Sequence, residues 1–462
     1  MAIPTPLPAA ATIPYTRNKG ERNRLILAVV TGTTIEWYDF FLYSSLGLVL
    51  KDQFFAKGLG ADPLLQYLAV YFTGFAARPL GALFFGRLGD LYGRKRAFFS
   101  TLLLMGGATV GIGFLPTYDQ IGLAAPMLLV FFRVLQGFAL GGEYGGAATF
   151  VAENVPDAER GFYTSFVQVT ATLGFFITLV VLLAIQSEMG DVAYKAWGWR
   201  FAWVASLFLL GISMYVRLRL NESPLWERLK VERRLSRDPV LESFSGSNGR
   251  SMLLALLGAT AGQGVVWYTA QFYTFFWMQS RLHVPATMAS EVVAIALLCA
   301  MPFFVISGQL SDLIGRKKLI VGGNLLAAFL FLPLYKAMAA AASPLNPVLL
   351  CFLVFLQVLL VTLVYGPMAA FLVEQFPARV RYTAVSLPYH VGNGWFGGLV
   401  PFLGGVLVKS TGNMYAGLWF PVAVAGLSGV IGMVWLKETR ETRIWAEAAP
   451  QRRTPTGSTA HL

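Results

Sequence analysis

Twelve apolar runs follow one another along the chain, at roughly 25–50, 65–86, 98–117, 125–152, 162–187, 200–220, 251–280, 287–307, 319–340, 347–373, 383–408 and 415–436, each bounded by charge, proline or glycine. About twenty consecutive apolar residues, rising about 1.5 Å each, cross a hydrocarbon core of about 30 Å, so each run predicts a spanning helix. No ten-residue alternation of the kind a transmembrane β-barrel requires recurs along the chain. With 56% hydrophobic and only 13% charged residues in 462, too little polar surface remains to cover a soluble protein. The expected fold class is an all-α integral membrane protein with twelve transmembrane helices.

The formal charge of +12 raises nucleic acid as a partner, but the cations sit in short loops and tails that flank apolar runs, where membrane orientation explains them. If the N-terminus is cytoplasmic, the inside segments hold Arg17, Lys19, Arg22 and Arg24, the Arg94-Lys95-Arg96 cluster, Arg160, a basic stretch from Arg217 to Arg250, Arg316-Lys317-Lys318, Arg379 and Arg381. The outside segments hold only Lys51, Lys57, Lys195, Arg200, Arg281, Lys336 and Lys409, so both termini are expected in the cytoplasm. The opening MAIPTPLPAAATIP lacks the continuous apolar core of a cleavable signal and is read as a tail before an uncleaved first span. Cys299 and Cys351 each lie inside an apolar run and are expected to be core packing residues, with no disulfide framework or metal site.

The chain also repeats itself. GRLGDLYGRKR at Gly86 nearly recurs as GQLSDLIGRKK at Gly308, 222 positions later, and Glu153-Asn-Val-Pro156 with Arg160 recurs as Glu374-Gln-Phe-Pro377 with Arg381, 221 positions later. Two motifs in one register, six spans per half, indicate parallel repeats with a site between them near mid-membrane. The expected organisation is a tail at 1–24, a six-helix bundle at 25–220, a polar linker at 221–250, a second bundle at 251–436 and a tail at 437–462. In each repeated loop the cations hold topology. Asp90 and Asp312, each at the end of a span, are placed to accept hydrogen bonds from the start of a facing helix when a gate is shut, and the glycines permit the tight turn.

These paired loops, TIEWYDFFLY in span one, RPLG in span two and RVLQGFALGGEYGG in span four resemble the major facilitator superfamily. More narrowly they resemble its metabolite:proton symporter family, which includes transporters of 2-oxoglutarate, citrate, shikimate and proline or betaine. The resemblance covers nearly the whole chain; the span-one and span-four motifs carry the narrower family. It implies two pseudo-symmetric six-helix bundles that alternate access, with Asp90, Arg94, Asp312, Arg316, Glu153, Arg160, Glu374 and Arg381 in gating.

A charge near mid-span costs about 2.5–3.5 kcal/mol on insertion scales, so the intramembrane charges are the informative ones: Glu36, Asp39, Arg78, Arg133, Glu143 and Glu291. Glu36 lies ~17 Å from one face and Arg133 ~12 Å from the other by helical rise, depths that nearly coincide in a core of ~30 Å. Glu36 and Asp39 share a helical face. A carboxylate pair facing Arg133 can exchange a salt bridge for a bound proton, the role the resemblance also implies for an acid on the first span and an arginine on the fourth; the alternative is a structural ion pair. Arg78 is expected to hold a substrate carboxylate in its planar fork, or else to bridge Glu143 or Asp39. Glu143, among glycines, is expected in packing and gating at least as much as in substrate contact, and Glu291 in solvent. Among Gln263, Trp267, Tyr268, Gln271, Tyr365, Tyr389, His390, Asn393 and Trp395, the expected pocket residues are Gln263, Trp267 and Tyr268 alongside Arg78 and Arg133; His390 ranks below the acidic pair.

No GxxxxGK[ST] loop, metal cluster or nucleophile constellation stands out, so no cofactor and no enzymatic activity are expected. The expected function is proton-coupled uptake of a small organic acid across a bacterial inner membrane by a monomer. The alternatives are uptake of a zwitterion such as proline or betaine and, from another class, a non-transporting receptor or scaffold. Carboxylates serve a sodium ion as well as a proton. Some carboxylate transporters of the family this chain resembles use an arginine in span five; this chain has none between residues 162 and 186, so the resemblance implies a monocarboxylate rather than a dicarboxylate.

Overall fold

The computed structural model describes residues 19–55, 63–218 and 221–448. Of the expected tails at 1–24 and 437–462, residues 1–18 and 449–462 lie outside the described residues. Among the described residues, twelve helices are long and apolar enough to cross a membrane: α1 Lys19–Ser45, α2 Gln66–Tyr92, α3 Arg94–Gly113, α4 Ala124–Ala152, α5 Asp157–Gly198, α6 Arg200–Leu218, α7 Gly246–Ser280, α8 Ala286–Ile314, α9 Arg316–Ala341, α10 Pro347–Gln375, α11 Arg381–Thr411 and α12 Ala416–Trp435. All twelve predicted runs fall on these helices. The helices outrun several of them because a charged residue ends an apolar run without ending a helix: α1 begins at Lys19 rather than near residue 25, and α5 passes Glu188 to break only at Gly190, where φ is 74°.

Each pairing in the first half recurs in the second. Helix α1 packs on α5 as α7 packs on α11, α2 on α4 as α8 on α10, α3 on α4 as α9 on α10, and α3 on α6 as α9 on α12. The two bundles meet along α5 against α8 and along α2 and α4 against α11. The linker at 221–250 is shorter than expected, since α7 already starts at Gly246, and it holds two short helices, Pro224–Val231 and Pro239–Phe244, capped by Ser223 and Asp238. It lies at the end of the molecule where α2 turns into α3 and α8 into α9, called the linker end below.

Small residues set the closest helix approach. A Cβ built on Gly137 of α4 would stand 1.7 Å from the carbonyl oxygen of Gly74 on α2, and one on Gly81 would stand 1.9 Å from that of Phe138. Only bare backbone allows this crossing, and it brings Arg78 of α2 and Arg133 of α4 into one neighbourhood. Helices α7 and α11 widen into π turns at Leu256–Thr260, Thr269–Tyr273 and Val391–Gly397, the last just after Pro388. Proline removes one backbone donor and crowds the preceding turn, and π turns of this kind cluster where a helix builds a site. The cysteines depart from expectation: Cys299 is exposed and Cys351 partly so. A lipid-facing helix surface is as apolar as a core, so apolar neighbours in sequence do not separate the two.

Candidate functional site

At the linker end the structure brings the repeated motifs together across the seam. Asp90, which closes α2, accepts hydrogen bonds from the N–H of Tyr382 (3.2 Å), the N–H of Thr383 (3.0 Å) and the Thr383 hydroxyl (2.8 Å) at the start of α11. Asp312, which closes α8, accepts from the N–H groups of Gly161 and Phe162 in the first turn after Arg160, both at 2.8 Å. Helix starts carry unsatisfied N–H groups and a partial positive charge, so each carboxylate meets what the facing helix leaves unpaired. The turns that follow are made by Gly93 and Gly315, with φ of 109° and 107°.

A ring of buried ion pairs surrounds these contacts. Arg94 lies 3.0 Å from Asp90 and 3.6 Å from Glu153, and Arg316 lies 2.7 Å from Asp312 and 3.0 Å from Glu374. Two pairs cross between bundles: Arg381 to Glu153 at 3.1 Å and Arg160 to Glu374 at 2.7 Å. Four further residues, absent from the sequence reading, complete the ring. Glu222 accepts from the N–H groups of Arg94 and Lys95 (3.0 and 3.1 Å), Glu438 from those of Arg316 and Lys317 (2.8 and 3.1 Å), Ser223 bonds Glu153, and the Thr439 hydroxyl donates to Glu374 at 2.6 Å. Their signal was available: Glu222-Ser223 and Glu438-Thr439 each follow the last span of a half, 216 positions apart. Residues read as the start of a C-terminal tail thus dock on the seam.

Near the centre of the seam, Arg78 is fully buried; its Nε donates to His390 Nδ1 and its Nη1 to the Tyr268 hydroxyl, both at 3.2 Å. Arg133, also fully buried, donates from Nη1 to Gln136 Oε1 at 2.8 Å and lies 4.6 Å and 4.4 Å over the rings of Phe40 and Tyr43. Among the described residues neither guanidinium forms an ion pair, and Arg78 Nη2, Arg133 Nε and Arg133 Nη2 have no hydrogen-bond partner. Arg78 therefore does not bridge Glu143 or Asp39. His390 Nε2, Trp267 Nε1 and the side-chain amide of Gln271 are likewise buried without partners, whereas Gln263 exchanges hydrogen bonds with Asn393. Trp37, Phe41 and Trp267 stack in succession, with centroids 5.2 and 5.5 Å apart, and Phe272 and Phe175 continue the aromatic wall. His390, ranked low from sequence, is a direct partner of Arg78; the π turn that begins just after it could not be read from residue types.

The expected pairing of Glu36 and Asp39 with Arg133 does not form. Arg133 meets α1 at Phe40 and Tyr43, four to seven residues beyond Glu36, which is about 6–10 Å along a helix. Glu36 instead lies 2.9 Å from Arg217 of α6, and Glu143 lies 2.6 Å from the same guanidinium. Asp39 is buried on the same helix, its Oδ1 without a hydrogen-bond partner, and it forms no ion pair among the described residues. Arg217, counted from sequence only among the inside topology cations, lies in the last turn of α6 and reaches back into the bundle beside Gly32, where a Cβ would stand 2.8 Å from its Nε. Glu143 likewise points into the first bundle rather than across the gate. Of the glycines around it, Gly141 and Gly142 pack on α2 and α3, while Gly145 packs on Ser386 and Gly146 on Tyr382 of α11, whose hydroxyl donates to the Gly142 carbonyl at 2.5 Å. Glu291 is exposed.

Comparison with known proteins agrees with this architecture. The pattern of the family described as "Sugar (and other) transporter" matches residues 25–252, and that of the "Major Facilitator Superfamily" matches residues 256–461. The chain is 33% identical to the Escherichia coli K12 inner membrane metabolite transport protein YhjE, over 91% of this chain and 95% of that protein. It is 31% identical to the E. coli alpha-ketoglutarate permease (92% and 96%) and 33% identical to the E. coli proline/betaine transporter (91% and 84%). Among solved structures, the proton:xylose symporter XylE bound to 6-bromo-6-deoxy-D-glucose superposes with a TM-score of 0.76 at 16% identity, covering 94% of this chain and 99% of that one. Twelve spanning helices in two equivalent halves and full-length identity to such proteins make this chain a transporter of the major facilitator superfamily, in its metabolite:proton symporter family.

Proposed function

We propose that the chain takes up a small organic acid together with protons across a bacterial inner membrane, by alternating access around the Arg78 and Arg133 site. The observation that carries the anionic cargo is the pair of buried arginines without ion-pair partners among the described residues, with donors left free where the bundles meet. A buried cation is costly unless it is paired, and a substrate carboxylate supplies the missing charge in a geometry that guanidinium recognises. Trp267, Tyr268 and His390 line the same space and would orient the rest of the molecule; Gln263, closed on Asn393, supports α7 against α11. The site lies within one chain, so a single copy suffices.

The positive-inside excess puts the linker end in the cytoplasm. Asp90, Arg94, Glu153 and Arg381, with their counterparts Asp312, Arg316, Glu374 and Arg160, then form the inner gate, held shut in this conformation, with Glu222 and Glu438 as its outer clasps. A zwitterion is the second reading, favoured by the Trp37, Phe41, Trp267 and Phe272 rings, whose faces suit a quaternary or secondary ammonium while Arg78 holds the carboxylate. Relatives of both kinds, the alpha-ketoglutarate permease and the proline/betaine transporter, fit these readings.

Counterflow in proteoliposomes with labelled 2-oxoglutarate, citrate, shikimate, proline and glycine betaine tests both. Exchange of a carboxylate that is lost in Arg78→Gln is the expected result. Exchange of betaine alone would select the zwitterion, and exchange insensitive to Arg78→Gln would remove this site from the pathway.

A further inference from the structure

Glu36, Glu143 and Arg217 form a buried group of two carboxyls and one cation, each no more than 5% exposed. Their surroundings are unequal. Glu143 accepts the Thr33 hydroxyl at 2.8 Å, the Thr101 hydroxyl at 3.5 Å and two bonds from Arg217 at 2.6 and 3.3 Å. Glu36 stands 2.9 Å from Arg217, yet neither of its oxygens has a hydrogen bond of acceptable geometry, and its carboxyl lies within hydrogen-bonding reach of that of Glu143. The contact with Arg217 is thus electrostatic rather than a directed bond.

Charge counting then decides what the group can hold. With both carboxyls ionised it carries one uncompensated negative charge out of water, with two carboxylates in contact and one of them lacking donors. One proton on Glu36 balances the count and turns the carboxylate contact into an O–H···O⁻ hydrogen bond to Glu143, the strong charge-assisted kind. A proton on Glu143 would balance the count equally but would leave the anion on Glu36, whose oxygens lack donors, while Glu143 is the carboxyl that Thr33, Thr101 and Arg217 serve. The groups facing the pair from neighbouring helices are Thr101 and the Phe98 carbonyl on α3, Arg217 on α6 and, across the seam, Tyr382 on α11; Asp39 lies one turn along α1, without an ion-pair partner among the described residues.

We propose that Glu36 carries the coupling proton, shared with Glu143 and released against Arg217, and that Arg133 does not take part in that step. The inference rests on the symport reading above and names its ion site. The step is one proton bound or lost: Glu36 carboxylate plus a proton gives the acid, which donates to Glu143; deprotonation returns both carboxylates to Arg217. Its link to the gate is short. Glu143 is followed by the stretch of α4 on which α11 rests, the Tyr382 hydroxyl bonds the carbonyl of Gly142, and Tyr382 and Thr383 are the residues whose N–H groups Asp90 holds. A change in which carboxyl Arg217 holds moves the surface of α4 against which α11 closes.

Two measurements on the full chain test this. In proteoliposomes, with whichever of the labelled solutes the wild type exchanges, Glu36→Gln should lower the ratio of pH-gradient-driven accumulation to counterflow at least tenfold, while Glu291→Gln leaves it unchanged. Retention of that ratio in Glu36→Gln, with its loss in Asp39→Asn, would overturn the proposal. Failure of the wild type to exchange any solute would instead strike the transport reading. The second measurement needs no solute. Infrared difference spectra between low and high pH should show a buried protonated carboxyl in the wild type that is absent from Glu36→Gln. In Glu143→Gln, where Glu36 no longer faces an anion, that carboxyl should bind its proton at least tenfold more weakly. Should Glu36→Gln not fold, an unshifted midpoint in Glu143→Gln would by itself refute the shared proton.

Discussion

Replacing Arg381 or Arg160 by glutamine removes one cross-bundle ion pair at a time and tests whether these pairs hold the linker end shut. The magnitude follows from what each carboxylate keeps. Glu153 loses Arg381 at 3.1 Å but retains Arg94 at 3.6 Å, and Glu374 loses Arg160 at 2.7 Å but retains Arg316 at 3.0 Å. Neither carboxylate becomes an isolated buried charge, so the ~3–5 kcal/mol for breaking a buried pair is too large. A charge-assisted hydrogen bond, about 1.5–3 kcal/mol, is the better measure. That corresponds to a rise of roughly 10- to 150-fold in the ratio of open to closed forms at about 1.4 kcal/mol per tenfold. The two pairs share no residue, so the effects should multiply in the double variant. The assay is the maleimide labelling rate of Ser386→Cys, a fully buried seam position against Gly145, in a Cys299→Ser, Cys351→Ser background in detergent. Labelling within twofold of the parent in both single variants and in the double, with the protein folded, would show that the pairs do not hold the gate.

Three further outcomes are expected. Arg78→Lys should raise the apparent KM for counterflow at least about tenfold, because an ammonium on one flexible stem cannot reach His390 and Tyr268 while presenting a planar fork to a carboxylate; an unchanged KM would exclude bidentate recognition. Gly137→Val should abolish recovery of monodisperse protein, since its Cβ would meet the Gly74 carbonyl at 1.7 Å, whereas Gly107→Ala, with nothing within 4 Å, should be recovered as the parent is; size-exclusion profiles compare them. Glu222→Gln should destabilise the chain by about 1 kcal/mol, the usual worth of a helix N-terminal cap, because a charged acceptor for the N–H groups of Arg94 and Lys95 is lost; an unaltered thermal midpoint in detergent would contradict that clasp.

The linker end and the centre of the seam differ in how much of them is legible in the residues. The linker-end motifs were legible because each is local, written twice, and bound to a helix end: Asp-x-x-x-Arg at the close of α2 and α8 has little freedom once the spans are placed. Glu222 and Glu438 also repeat, each just past the last span of its half though 216 rather than 221 or 222 positions apart, and sit in polar segments that read as linker and tail. The centre was harder. Helical rise placed Glu36 and Arg133 at one depth, but an early start of α1 at Lys19 and the reach of Arg217 from the end of α6 changed the partner.

The residues alone determined twelve spans, their division into equivalent halves and the charges that must be accounted for inside a membrane, because hydrocarbon forces backbone bonding into each segment and penalises each unpaired charge. Tertiary structure alone decided which charges meet. Pairing across helices depends on relative height, rotation and side-chain reach to within a few ångströms, and none of these is written in the spacing of residues along a single helix.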